Sequence, residues 1–109
     1  MTTKLLRLVP GSVLTAVAAV YYTAPAGTRA VVRSATLTNT TAGVVACTVY
    51  VVPSSGAVAA ANTIVSARNL SIGETYNLPE LVNQVIEPGS TIQALGLGVS
   101  FMASGAEVT

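Results

Sequence analysis

The sequence predicts an all-β protein: an antiparallel β-sandwich of about seven or eight strands, with jelly-roll topology among the options and at most one short helix. Three observations carry this. Val, Ala and Thr supply 17, 17 and 14 of the 109 residues, and the β-branched members of that set are stiff at χ1 and favour strands. Turn signals recur roughly every 8 to 12 residues, the spacing of short strands in sandwiches and barrels. No stretch sustains a helical period of apolar residues.

Taken in order, Leu5 to Val9 reads as a short first strand, with Leu6 and Leu8 on one face and Leu5, Arg7 and Val9 on the other. Pro10-Gly11 reads as a turn. Ser12 to Thr23 then reads as extended chain with Val13, Thr15, Val17, Ala19 and Tyr21 on one face and Leu14, Ala16, Ala18, Val20 and Tyr22 on the other. Both faces are mostly apolar, as expected where a strand is covered on both sides. Arg29 to Thr38 is strand-like, and Asn39 to Gly43 turns. Val44 to Val52 (VVACTVYVV) is the clearest strand, closed by Pro53-Ser54-Ser55-Gly56. Asn62 to Leu70 and Glu74 to Leu78 are extended around the turn Ser71-Ile72-Gly73. Residues 79–86 begin with Pro79 and read either as a short helix or as a loop over the end of the sandwich. Glu87-Pro88-Gly89-Ser90 suits a type II turn, because Gly tolerates positive φ after Pro. Thr91 to Leu95 and Val99 to Ala103 are the last strands. The whole chain, 1–109, reads as one domain, with 1–9 as an N-terminal arm able to add to a neighbour's sheet.

Charge narrows the function. Charged residues make up 8% of the chain and the net charge is +1. An ordinary soluble domain carries roughly 25%. So little charge protects a solitary surface poorly, which predicts that other chains cover part of it, in a homo-oligomer or a larger particle. Five basic residues scattered along the chain make no phosphate-tracking patch, so no nucleic-acid partner is expected. The apolar stretch SVLTAVAAVYYTAPAG offers about a dozen residues between Pro10-Gly11 and Pro25, short of the ~20 that a spanning helix needs, so no membrane partner is expected. Lys4, Arg7 and the apolar run imitate an export signal, but Pro10-Gly11 breaks the helix such a signal would form.

The reactive side chains are few. His and Asp are absent, which removes the commonest general base and metal ligand, and predicts neither enzyme activity nor a cofactor or metal. Glu74, Glu80, Glu87 and Glu107 read as solvated groups at turns and rims rather than as a catalytic pair. Cys47 falls mid-strand on the face of Val45, Val49 and Val51, as a small core residue would. Gly96 and Gly98 lack the Lys and helix of a phosphate loop and read as a turn or bulge. Arg29, Arg33 and Arg68, and the tyrosines Tyr21, Tyr22, Tyr50 and Tyr76, divide between surface, core and contact roles.

The segments Tyr22 to Thr28 (YTAPAGT), Thr36 to Thr41 (TLTNTT), Val51 to Gly56 (VVPSSG) and Gly73 to Ala94, with its GETY, PEL, EPG and IQA groups, resemble a recurrent type of small tailed-bacteriophage virion protein. The resemblance spans about residues 21–95 and rests on turns and strand ends. It implies a β-sandwich component of a virion, made in the host bacterial cytoplasm: a capsid cement or decoration subunit, or a neck or tail accessory, whose partners are other virion proteins. A receptor- or carbohydrate-binding module is the alternative, although sugar sites favour exposed aromatic rings and this chain has no Trp and one Phe. The interface candidates are Leu6 and Leu8 of the arm, Leu14, Val20 and Tyr22 of the following segment, and Arg29 and Arg33.

Overall fold

The computed structural model describes residues 2–109. Nine strands form two antiparallel sheets: β1 (Thr3–Val13), β2 (Ala19–Thr23), β3 (Arg29–Asn39), β4 (Val45–Val52), β5 (Thr63–Leu70), β6 (Thr75–Asn77), β7 (Val85–Ile86), β8 (Thr91–Leu95) and β9 (Val99–Val108). One sheet runs β1-β9-β3-β6, with β7 also on β3; the other runs β2-β8-β4-β5. With β6 and β7 counted as one interrupted strand, this order is the jelly roll, in which alternate strands cross between two four-stranded sheets. The count exceeds seven or eight because that one strand is broken. Residues 78–84 leave the sheet, and the excursion drives Leu78 and Leu81 fully into the core. They take the loop form rather than the helical one, stitched by Leu81 N–H to Leu78 O (3.2 Å) and Gln84 N–H to Leu81 O (3.1 Å). Among the described residues the one helical turn, a 3-10 turn, lies at Ala60–Asn62 instead.

The core is aliphatic, with Phe101, Leu37, Leu70, Leu78, Leu81, Ile86, Ile92, Val32 and Val49 fully buried between the sheets. Each such side chain contributes roughly 1.5–3 kcal/mol of transfer free energy. Phe101 meets Tyr21 edge-to-face at 6.0 Å, which ties β9 to β2 across the core.

Bulges correct the sequence reading at the N-terminal end. β1 runs unbroken through Pro10-Gly11, which is an irregularity within the strand and not a turn. β1 is an edge strand, where a missing N–H costs no ladder bond. A second irregularity inserts Leu8 between Arg7↔Ser104 and Val9↔Ala103, so the consecutive residues Leu8 and Val9 both reach the core. β3 bulges at Arg33 opposite the same Ser104, between Val32↔Gly105 and Ser34↔Ser104. The central strand β9 is therefore flanked by a bulge on each side at one residue. Residues 3–9 belong to this ladder and do not project as an arm; Met1 lies outside the described residues. Residues 12–23 are not one strand either: 14–18 form a loop and β2 begins at Ala19. A bulge between Val20 and Tyr22 turns both Tyr21 and Tyr22 inward, not to opposite faces.

Two glycines hold close approaches. Gly89 sits at φ +81° in the turn closed by Ser90 N–H to Glu87 O at 2.9 Å, the type II turn that the Pro-Gly pair predicts. A Cβ on Gly105 would collide with the Val31 carbonyl oxygen, so only glycine lets β9 lie this close to β3 beside the bulge.

Candidate functional site

The polar side chains are largely spent inside the chain. Asn39 is fully buried, and its Nδ2 donates to the carbonyls of Gly43 (2.8 Å) and Leu70 (2.9 Å) while its Oδ1 accepts from the Thr41 N–H (2.9 Å). Its backbone bonds Glu74 O and Gly73 N–H, each at 2.9 Å. One residue thus joins the β3–β4 turn to the end of β5 through its side chain and to the β5–β6 turn through its backbone. The four carboxylates are also engaged. Glu74 accepts from Ser71 N–H (2.7 Å), Glu80 from the Tyr76 hydroxyl (2.7 Å), Glu87 pairs with Arg29 (2.8 Å), and Glu107 accepts from the Tyr22 hydroxyl (2.6 Å). Burial first, then the bond to the Glu107 carboxylate, holds the Tyr22 hydroxyl protonated far above its usual range. Arg68 lies 3.9 Å over the Tyr76 ring. Cys47 is fully buried, and burial pushes its thiol pKa up, away from the thiolate a nucleophile needs.

Two surfaces stay unsatisfied. The first is one end of the sandwich, where the β1–β2 loop, the β3–β4 and β5–β6 turns and the β8–β9 turn meet. They are bound together by Gly96 N–H to Thr15 O (2.9 Å), Gly98 N–H to Leu14 O (3.0 Å) and the Asn39 bonds. Each of these four connections raises one aliphatic side chain into solvent: Val17 (70% exposed), Val44 (64%), Ile72 (63%) and Leu97 (64%). Val13, at 63%, stands beside them at the end of β1. No Lys or Arg lies in these four connections, and their one carboxylate, Glu74, caps its own turn. The sequence reads 39–43, 71–73 and the Gly96-Gly98 stretch as turns but takes 14–18 as extended chain and Val44 as strand, and it passes over all four tips. The available signal was an aliphatic residue enclosed by turn formers, as in Ser71-Ile72-Gly73 and Gly96-Leu97-Gly98.

The second surface is the outer face of the β1 sheet near its β1 edge. Leu5, Ala106, Val31 and Val85 stand in register across β1, β9, β3 and β7, forming an apolar rung on that face. Leu5 is 76% exposed and Val85 46%. A shallow depression lined by Leu5, Leu6, Arg33, Ser104 and Gly105 adjoins it. Arg7 follows Leu5 by two residues on the same face.

The structure divides the sequence-derived interface candidates. Leu8 (5% exposed) and Leu14 (1%) are packed in the chain's own core, so they are taken up by folding and present nothing to a partner. The bulge at Leu8 and the bonds of Leu14 to the β8–β9 turn put them there. Leu6 and Tyr22 are half-buried, while Val20, Arg29 and Arg33 are exposed. Leu6 and Arg33 share the depression, Arg29 is engaged with Glu87, and Val20 lies in the other sheet.

No family model matches the sequence, and no curated protein matches it. Among solved structures, a chain in the structure of infectious bursal disease virus Gx strain is similar, with a TM-score of 0.47 and 16% identity. The similarity covers 97% of this chain and 30% of that one, so this chain spans about three tenths of that chain's length. Among the described residues, no helix is long and apolar enough to cross a membrane.

Proposed function

We propose that this chain is a non-enzymatic structural subunit of a bacteriophage virion, a capsid cement or decoration protein, with a neck or tail accessory role as the alternative. The observation that carries the reading is the end of the sandwich where Val17, Val44, Ile72 and Leu97 stand exposed on four hydrogen-bonded loops. Several exposed aliphatic groups at one end of a small domain cost solubility unless another surface covers them. Their backbone is fixed in advance, so covering them requires little ordering. The bacteriophage-like turn motifs support the particle context, and in this fold they act structurally: the Asn of TLTNTT is the buried Asn39, the Leu of PEL is the buried Leu81, and EPG makes the Gly89 turn. In this reading the subunit is one copy among many, and contact with neighbouring virion proteins is its function.

The test is to add purified chain to particles that lack it and measure retention. Ile72→Ser and Leu97→Ser should each leave the melting temperature within a few degrees and together should reduce retention at least ~10-fold, since loss of buried aliphatic anchors costs more than 1 kcal/mol. Retention of the double variant equal to wild type would overturn the assignment of this surface. Failure of the wild-type chain to bind any particle would overturn the virion role.

A further inference from the structure

We infer that the free edge of β1 takes an extended acidic segment of another protein by strand addition at Thr3 to Arg7. This rests on the reading that the chain works through contacts with other proteins, and it names the chemistry of one partner. Thr2 and Thr109 exchange both backbone bonds, Thr2 N–H to Thr109 O at 3.0 Å and Thr109 N–H to Thr2 O at 2.9 Å. Bonded and non-bonded pairs alternate along an antiparallel ladder. Lys4 and Leu6 therefore bond to Glu107 and Gly105, while the N–H and C=O groups of Thr3, Leu5 and Arg7 point away from β9. No strand covers them among the described residues, because β1 ends its sheet. An outward row of donors and acceptors is a template for another strand. The two irregularities of β1 begin only after Arg7, so the stretch from Thr3 is regular.

Charge selects the occupant. Every carboxylate of the chain is engaged internally, and the only ion pair among the described residues is Arg29 with Glu87. Lys4 stands opposite Glu107 in the ladder, but Glu107 holds the Tyr22 hydroxyl and makes no ion pair with Lys4. Lys4, Arg7 and Arg33 are exposed around the β1 edge, two of them within the addition site itself; Lys4 has the Glu107 carboxylate as its cross-strand neighbour, whereas Arg7 faces Ser104, so the positive charge outnumbers the negative at this edge. A second copy fits poorly. Symmetric antiparallel pairing about Leu5 would bring two Lys4 and two Arg7 onto one short ladder with no carboxylate between them. The complementary strand carries an acid opposite Arg7, apolar residues opposite Leu6 and Leu5, and an acid opposite Lys4. The outer-face acid would also approach Arg33, and the apolar residue opposite Leu5 would extend the rung of Ala106, Val31 and Val85.

The experiment titrates the folded, isotope-labelled chain with the capped peptide TEVVET and with its charge-reversed form TKVVKT, read by amide NMR. The acidic peptide should shift the amides of Thr3, Leu5 and Arg7, bind at least ~10-fold tighter than the basic one, and weaken several-fold on raising salt across the screening range. Leu5→Pro removes an outward N–H without touching a ladder bond and should abolish binding while the remaining spectrum persists. The double variant Lys4→Glu with Arg7→Glu should reverse the preference toward TKVVKT. Equal binding of both peptides, shifts confined to the loop end, or undiminished binding by the double variant would overturn the proposal. Because the peptides are read in free solution, failure here leaves the particle-retention result to stand or fall separately.

Discussion

The loop end and the β1 edge are both incomplete, in opposite ways. At the loop end the connections are tied to one another through the backbone, by Asn39 and the turn contacts, and what stands out is aliphatic side chain. At the β1 edge what remains over is backbone, the outward groups of Thr3, Leu5 and Arg7, flanked by the cations Lys4, Arg7 and Arg33, none of which forms an ion pair among the described residues. Aliphatic tips favour burial without direction, whereas a free edge with placed charge fixes register and partner. In the proposed reading the edge supplies the selectivity of a chain with only nine charged residues. Its four acids serve the fold, and three of its five bases are left for the exterior.

Substitutions can separate the two regions. The largest effect belongs to deletion of residues 2–9, all but the first residue of the segment 1–9 that the sequence reads as an N-terminal arm. It removes buried Leu8 and Val9 with most of the 11-residue β1, and should cost at least ~5 kcal/mol, comparable to the whole stability of a small domain; circular dichroism should show an unfolded chain. Next is Asn39→Ala, which leaves the carbonyls of Gly43 and Leu70 without their donor and should cost about 2–4 kcal/mol in chemical denaturation, loosening the frame under the aliphatic tips. Cys47→Ser places a hydroxyl in the core at about 1–3 kcal/mol, and the native thiol should label slowly.

Tyr22→Phe should cost about 1–2 kcal/mol by removing the tie from β2 to Glu107. The pH dependence has a definite sign. The Cys47 and Tyr22 values are raised in the fold above their ordinary 9.0 and 10.0, so above these values the unfolded chain releases protons that the folded chain keeps. Stability is intact below about pH 9 and falls as pH rises further, and Tyr22→Phe should flatten the portion above about pH 10. The smallest stability effects belong to exposed positions: Leu97→Ser and Arg7→Ala should each stay within about 0.5 kcal/mol in thermal melts, while changing binding.

The legible parts of the fold were those written in local chemistry. Alternation in Val44 to Val52 located β4 and buried Cys47, and Pro88-Gly89 located its turn. The bulges were not legible, because they are set by pairing. Nothing near Leu8 or Arg33 in sequence announces that both face Ser104, some 70 to 100 residues away in the chain. Strict alternation therefore misplaced Val9, Tyr21 and the interface candidates Leu8 and Leu14. Scarce charge led to the expectation that some surface is covered, and of the residues named for it Leu6 and Arg33 line the depression beside the β1 edge that we propose as a contact. Which cations were left over depended on which acids the fold consumed.

Hydrogen exchange at single-residue resolution, in the free chain and in the assembled particle, tests the central claim most directly. In the free chain the amides of Thr3, Leu5 and Arg7 should exchange fast and those of Lys4 and Leu6 slowly, because the two sets face opposite sides of β1. On the particle, the outward set should slow by at least ~100-fold, to the level of its neighbours. Exchange of Thr3, Leu5 and Arg7 that stays as fast on the particle as in solution would contradict the account.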